Sequence, residues 1–111
     1  MVVHVVLFRP KPEVTESDRG KMFAALHAAA TRIPTVRRFH VGSRVTHGAA
    51  YEPMMAADFP FAAIVEFEDL AGLQSYLTHP DHVKLGELFY QLQAAALVYD
   101  YEVSAAAGSV V

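Results

Sequence analysis

The run Val2-Val3-His4-Val5-Val6-Leu7-Phe8-Arg9 is apolar at both alternations: Val3, Val5 and Leu7 fall on one, and Val2, Val6 and Phe8 accompany His4 on the other. Successive side chains of a strand point to opposite faces, so such a strand is stable only where both faces are covered. This one segment calls for a layered fold with the run inside it. Pro10-Lys11-Pro12 ends the strand, because proline has no amide hydrogen to give to a ladder.

Thr15-Glu16-Ser17-Asp18 has the form of a helix start, with the Thr15 oxygen taking exposed amides and the Asp18 carboxylate facing the positive end of the dipole. The helix is expected to reach about Ile33. Met22, Leu26, Ala29 and Ile33 recur at helical spacing and form its inward stripe, with His27 on the flank and Pro34 limiting continuation. A second strand runs from Val36 to about Thr46, with a bulge or a close backbone approach expected at Gly42. A third, Phe61 to Glu68, alternates Phe61, Ala63, Val65 and Phe67 against Ala62, Ile64, Glu66 and Glu68. The long loop between them holds His47, Gly48, Tyr51, Met54, Met55 and Phe59, an apolar content that fits either a cover over a pocket or a partner contact.

Asp69 to Leu77 is expected as a short helix with Leu70, Leu73 and Leu77 inward. Thr78-His79-Pro80-Asp81 restarts helix, Pro80 suiting a first helical position. This second segment is expected to run to about Ala96, with Leu85, Phe89, Leu92 and Ala96 on one face and His82 inward one turn before Leu85. Leu97 to Val103 forms the fourth strand, Leu97, Tyr99, Tyr101 and Val103 opposing Val98, Asp100 and Glu102. Residues 1–103 then make one domain, and 104–111, small and apolar, form a loose tail. The order β-α-β-β-α-β predicts an α+β, ferredoxin-like fold with helices on one face of a four-stranded antiparallel sheet. A second copy packed sheet to sheet would cover the other face, which predicts a homodimer.

Composition supports that second buried surface: 53% of the 111 residues are hydrophobic and only 19% are charged. Nine Lys and Arg against a net charge of −3 argue against nucleic-acid binding. The absence of cysteine excludes disulfides, a thiolate nucleophile and thiolate metal ligands. Six histidines invite a metal, but His79 and His82 lack a compact carboxylate companion, so neither a metal centre nor a cofactor is expected. The amino end lacks a cationic leader and its apolar run is only strand-long, which predicts a cytoplasmic chain without membrane contact.

His4-Val5-Val6-Leu7-Phe8, Ile33-Pro34-Thr35-Val36, Val41-Gly42 and Ile64-Val65-Glu66-Phe67-Glu68, with Tyr76-Leu77-Thr78-His79-Pro80-Asp81-His82 and Val98-Tyr99-Asp100-Tyr101, resemble the stress-responsive A/B barrel family. The resemblance spans residue 2 to about 103 and implies a dimeric α+β barrel with a cavity between the sheet and helices of each protomer. A plant member of the family closes a linear polyketide thioester by intramolecular aldol condensation. Its catalytic tyrosine and histidine fall on Tyr76 and His82, the aspartate orienting that histidine on Asp100, and a further pocket histidine on His4. Another of its pocket histidines falls at Ala63, so part of that pocket is not reproduced. In this reading His82 is a general base, Tyr76 polarises a carbonyl, Asp100 fixes the imidazole, and His4, Phe8, Leu85 and Phe89 line the site of a small hydrophobic carbonyl ligand. The competing reading is a non-enzymatic stress-response or ligand-binding domain in which the same polar cluster is architectural. A haem-degrading monooxygenase is disfavoured by the lack of a haem-ligand motif.

Overall fold

The computed structural model describes residues 1–105 and carries β1 (Val2–Pro10), α1 (Glu16–Arg32), β2 (Val36–Ser43), a 3₁₀ turn (Glu52–Met54), β3 (Phe61–Phe67), α2 (Leu70–Thr78), α3 (Pro80–Leu92) and β4 (Gln93–Glu102). The strands form one antiparallel sheet in the order β2-β3-β1-β4. β1 is therefore an internal strand, flanked by β3 and β4. One face of the sheet packs under the helices, where Val2, His4, Ala63, Val65 and Phe67 are buried together with Met22, Ala25, Ala29 and Ile33 from α1 and its end. The expected tail begins at Ser104, and its residues 106–111 lie outside the described residues.

Among the described residues the opposite face is largely open, with only the β2–β3 loop reaching over part of it. Ile64, Leu97, Tyr99 and Tyr101 there are between 39% and 54% exposed. Isolated exposed apolar residues need no explanation, but a continuous apolar sheet face does.

The capping box at the start of α1 forms as the sequence predicts: Asp18 N donates to Thr15 Oγ1, and Thr15 N to Asp18 Oδ2, both at 3.1 Å. Four expectations need correction. In α1, Ala25 is buried and Leu26 only partly so, a small rotation of the inward stripe. In β2 the strand stops at Ser43, and its register shift lies between Val36 and Arg38; a Cβ at Gly42 would meet open space, so no backbone approaches closely there. In α2 the inward face is Gly72, Leu73 and Tyr76, while Leu70 is 57% and Leu77 36% exposed. Thr35 Oγ1 donates to the Gly72 carbonyl at 2.8 Å, which draws this face of the helix onto the sheet. Finally, α3 ends at Leu92, not near Ala96, which is exposed and pairs with Phe8. Helix-forming alanines at 94–96 are overridden by ladder bonds to β1.

The β2–β3 loop has internal order. The Glu52 carboxylate accepts the amides of His47, Gly48 and Ala49 at 2.8, 2.8 and 3.0 Å. Arg44 reaches Asp58 at 2.6 Å, and Arg9 donates to the Asp58 carbonyl at 3.0 Å. Met55 and Phe59 of this loop join Leu7, Val41, Phe61 and Ile64 in walling a groove of about 500 Å³. None of the candidate site residues lines that groove.

Candidate functional site

Tyr76 and His82 come together because the helix breaks between them. Proline disfavours helical backbone in the residue before it, and His79 is extended at φ −65°, ψ 139°. α2 therefore stops and α3 starts within one residue. His79 serves both ends: its amide donates to the Tyr76 carbonyl at 3.2 Å, and its Nδ1 accepts the Asp81 amide at 3.1 Å. The break leaves the last carbonyls of α2 without helical partners. His82 Nδ1 donates to one of them, Leu77 O, at 3.0 Å. A carbonyl can only accept, so the neutral ring keeps its hydrogen on Nδ1 and its lone pair on Nε2.

Tyr76 is 1% exposed, its ring centroid 5.0 Å from Phe67, 4.5 Å from His82 and 5.9 Å from His4. Burial pushes its phenol well above the ordinary range, so the group stays protonated and acts as a donor. Among the described residues the hydroxyl has no hydrogen-bond partner, and it is not sealed away from solvent as Gln93 Oε1 is.

Asp100 does not orient His82, as the sequence reading has it. It sits opposite His4 in the β1–β4 register and hydrogen-bonds His4 Nδ1. Strand pairing decides this: a cross-strand neighbour on the same face lies within reach of a short carboxylate. His4 is buried, whereas the Asp100 side chain is 43% exposed, so the cluster opens to solvent along β4.

The Leu77 carbonyl is the functional group that sequence reasoning missed; the proline after His79 was the available signal. Of the other expected ligand-lining residues, Phe8 and Phe89 meet each other at 5.5 Å, with Phe61 stacked on Phe8 at 5.7 Å. They stand about 13 Å along β1 from His4, at a strand rise of about 3.3 Å per residue. Leu85 is buried in the hydrophobic core. No group of three or more His, Asp or Glu is placed to hold a metal among the described residues.

Burial lowers the His82 pKa below its ordinary 6.5, with His4 adding to the effect and the bond to Leu77 opposing it. The unfolded chain therefore takes up a proton at this residue before the folded one does. Its stabilising contribution is complete above pH 6.5 and is lost as pH falls through the lower folded value. Denaturant unfolding from mildly alkaline to acidic pH should show the wild type losing more stability than His82→Gln. Parallel curves would contradict this assignment.

Internal β1, helices on one sheet face, and a tyrosine–histidine pair at a helix break define a ferredoxin-like α+β domain with a polar cluster beneath its helices. The match to the stress responsive A/B barrel domain covers residues 2–103, and the chain belongs to that family. It is 26% identical over 100 residues to olivetolic acid cyclase of Cannabis sativa, covering 90% of this chain and 94% of that one. Its fold is shared by the hydroxynitrile lyase of Passiflora edulis, with a TM-score of 0.78, 16% identity and 93% of each chain covered. A dimeric ferredoxin-like protein of unknown function from Thermobifida fusca is also similar, with a TM-score of 0.72, 20% identity, and 92% of this chain and 90% of that chain covered. Among the described residues no helix is long and apolar enough to cross a membrane.

Proposed function

We propose that this chain is a homodimeric, cofactor-free enzyme that removes an acidic carbon-bound proton from a hydrophobic carbonyl compound, in lyase-type or cyclase-type chemistry. The observation that carries this reading is the convergence of His82 and Tyr76 at 4.5 Å, one ring with Nε2 free and the other with an unpartnered phenol. The C–H electron pair becomes the enolate, the proton passes to His82 Nε2, and the Tyr76 hydroxyl donates to the developing oxyanion. A cyclase and a lyase among the similar proteins support the reaction class. Ala63, at the position where the family resemblance implies a pocket histidine, is buried on the helix face of β3, which supports a different substrate.

The architectural reading draws on one specific observation, the 1% exposure of Tyr76. Exchange of the α-hydrogens of acetylacetone in D₂O, followed by NMR, separates the two. A site that works takes exchange above the rate given by equimolar free imidazole, and His82→Gln removes the excess. An architectural cluster leaves both proteins at the imidazole rate.

The largely open sheet face, with Ile64, Leu97, Tyr99 and Tyr101 exposed, supports a second copy as the partner. Sedimentation at micromolar concentration should give a dimer, and Tyr99→Lys combined with Leu97→Lys should shift it toward a folded monomer. A wild type that sediments as a folded monomer would reject the pairing.

A further inference from the structure

The open face of the sheet is uneven, and its register shows where. Leu97, Leu7, Ala62 and Gly42 stand side by side in one row across β4, β1, β3 and β2. The next row on that face reads Tyr99, Val5, Ile64 and His40, and the one after it Tyr101, Val3, Glu66 and Arg38. Large side chains therefore form a ridge along β4, with Leu97 39%, Tyr99 52% and Tyr101 54% exposed. Toward the opposite edge Gly42 and Ala62 leave a hollow, and among the described residues a Cβ at Gly42 would meet nothing within 4 Å. That hollow is the floor of the groove of about 500 Å³, and Met55 and Phe59 of the β2–β3 loop stand as its wall. The wall is held within its own protomer. Glu52 ties down the amides of His47, Gly48 and Ala49, and Arg44 and Arg9 fasten Asp58.

Two identical sheets packed face to face with aligned strands are related by a two-fold axis that runs either across the strands or along them. An axis across the strands lays β4 on the copy's β4, so ridge meets ridge and both hollows stay empty. An axis along the strands reverses the order of every row in the copy. Leu97 then lies over the partner's Gly42 and Leu7 over the partner's Ala62, a large side chain on a small one in both cases. One row further, Tyr99 meets the partner's His40, and beyond it Tyr101 meets the partner's Arg38, which gives each phenol tip a polar neighbour. Interiors pack densely, so the second arrangement is the one that leaves no void. We propose that the groove beneath the β2–β3 loop is the seat of the partner's β4 ridge, with Leu97 filling the hollow at Gly42 and the loop standing over it as a clamp. This rests on the homodimer proposed above and adds how the two copies are set against each other. It also gives the long β2–β3 loop a role, contact with the partner.

Engineered thiols read the arrangement cleanly, because the chain has no cysteine of its own. Packed sheets lie about 10 Å apart, beyond the Cα reach of a disulfide at about 7 Å, so a short bis-maleimide is the probe. His40→Cys and Tyr99→Cys, each in its own full-length chain, are mixed, allowed to exchange subunits and treated with the reagent at micromolar concentration. The mixture should give a cross-linked dimer. Each variant alone should give none, since like positions are then offset sideways by about 14 Å, three strand spacings of about 4.8 Å. Sedimentation supplies a second reading that needs no cysteine. Gly42→Leu fills the hollow and should weaken the dimer by about 10 to 10²-fold, while the chain stays folded because the new side chain enters open space. Adding Leu97→Ala to it should bring the dimer back toward wild-type strength. Three results overturn the proposal and leave the homodimer standing: Tyr99→Cys cross-linking to itself, a mixture that gives no cross-link, or Gly42→Leu dimerising as tightly as the wild type. A wild type that sediments as a folded monomer removes the homodimer and this arrangement together.

Discussion

Tyr76→Ala is expected to destabilise the fold by about 3–5 kcal/mol, the range for truncating a fully buried aromatic ring. The residue is 1% exposed and its ring touches Phe67, His82 and His4, so its loss leaves a hole bounded by strand and helix where little can collapse. Tyr76→Phe should behave quite differently. The hydroxyl has no partner within the described residues, so removing it deletes no internal hydrogen bond, and stability should stay within about 1 kcal/mol of the wild type. Denaturant unfolding of the two variants measures both. A Tyr76→Phe protein as unstable as Tyr76→Ala would mean that the hydroxyl is structural.

His82→Gln should lower acetylacetone exchange by about 10² to 10⁴-fold, the usual contribution of a positioned base. The ring is half-buried and held neutral by that burial, so at neutral pH it is in the form that accepts a proton, with Nε2 as the accepting atom. Glutamine has an amide able to donate to Leu77 O but no basic nitrogen, so the fold should survive where the rate does not. Exchange equal to that of the wild type would remove His82 from the chemistry.

The fold was largely legible because its strands are short and strongly patterned. The double-sided β1 called for cover on both faces, and the alternation of β3 grouped Ala63, Val65 and Phe67, which are buried, with Phe61, which is exposed at the strand's start. What escaped the periodicity were choices made by tertiary pairing. Ala94, Ala95 and Ala96 favour helix but lie in β4, where Ala95 and Ala96 pair with Arg9 and Phe8. Leu70 and Leu77 suggested the inward face of α2, yet Gly72 and Tyr76 took it, because a small residue lets the helix settle and a large ring fills the space beneath. Within the site, the spacing turned His82 inward and the family resemblance alone paired it with Tyr76, and neither showed which histidine Asp100 would meet. That partner follows from strand register, which is set by the whole ladder from Val2↔Glu102 onward. The apolar content of the β2–β3 loop suggested a cover over a pocket or a partner contact, but the shape of the groove that it walls on the far side depends on how Arg44 and Arg9 fasten Asp58.

The most direct test of the central claim is a double-mutant cycle on acetylacetone exchange with wild type, Tyr76→Phe, His82→Gln and the double variant, all checked for matched stability. Groups that act as one unit in a single transition state give strongly non-additive losses. The account predicts that each single change removes most of the acceleration over free imidazole and that the double variant is about as slow as the slower single. Losses that multiply independently, or four proteins indistinguishable from imidazole, would contradict a shared proton-transfer site at Tyr76 and His82.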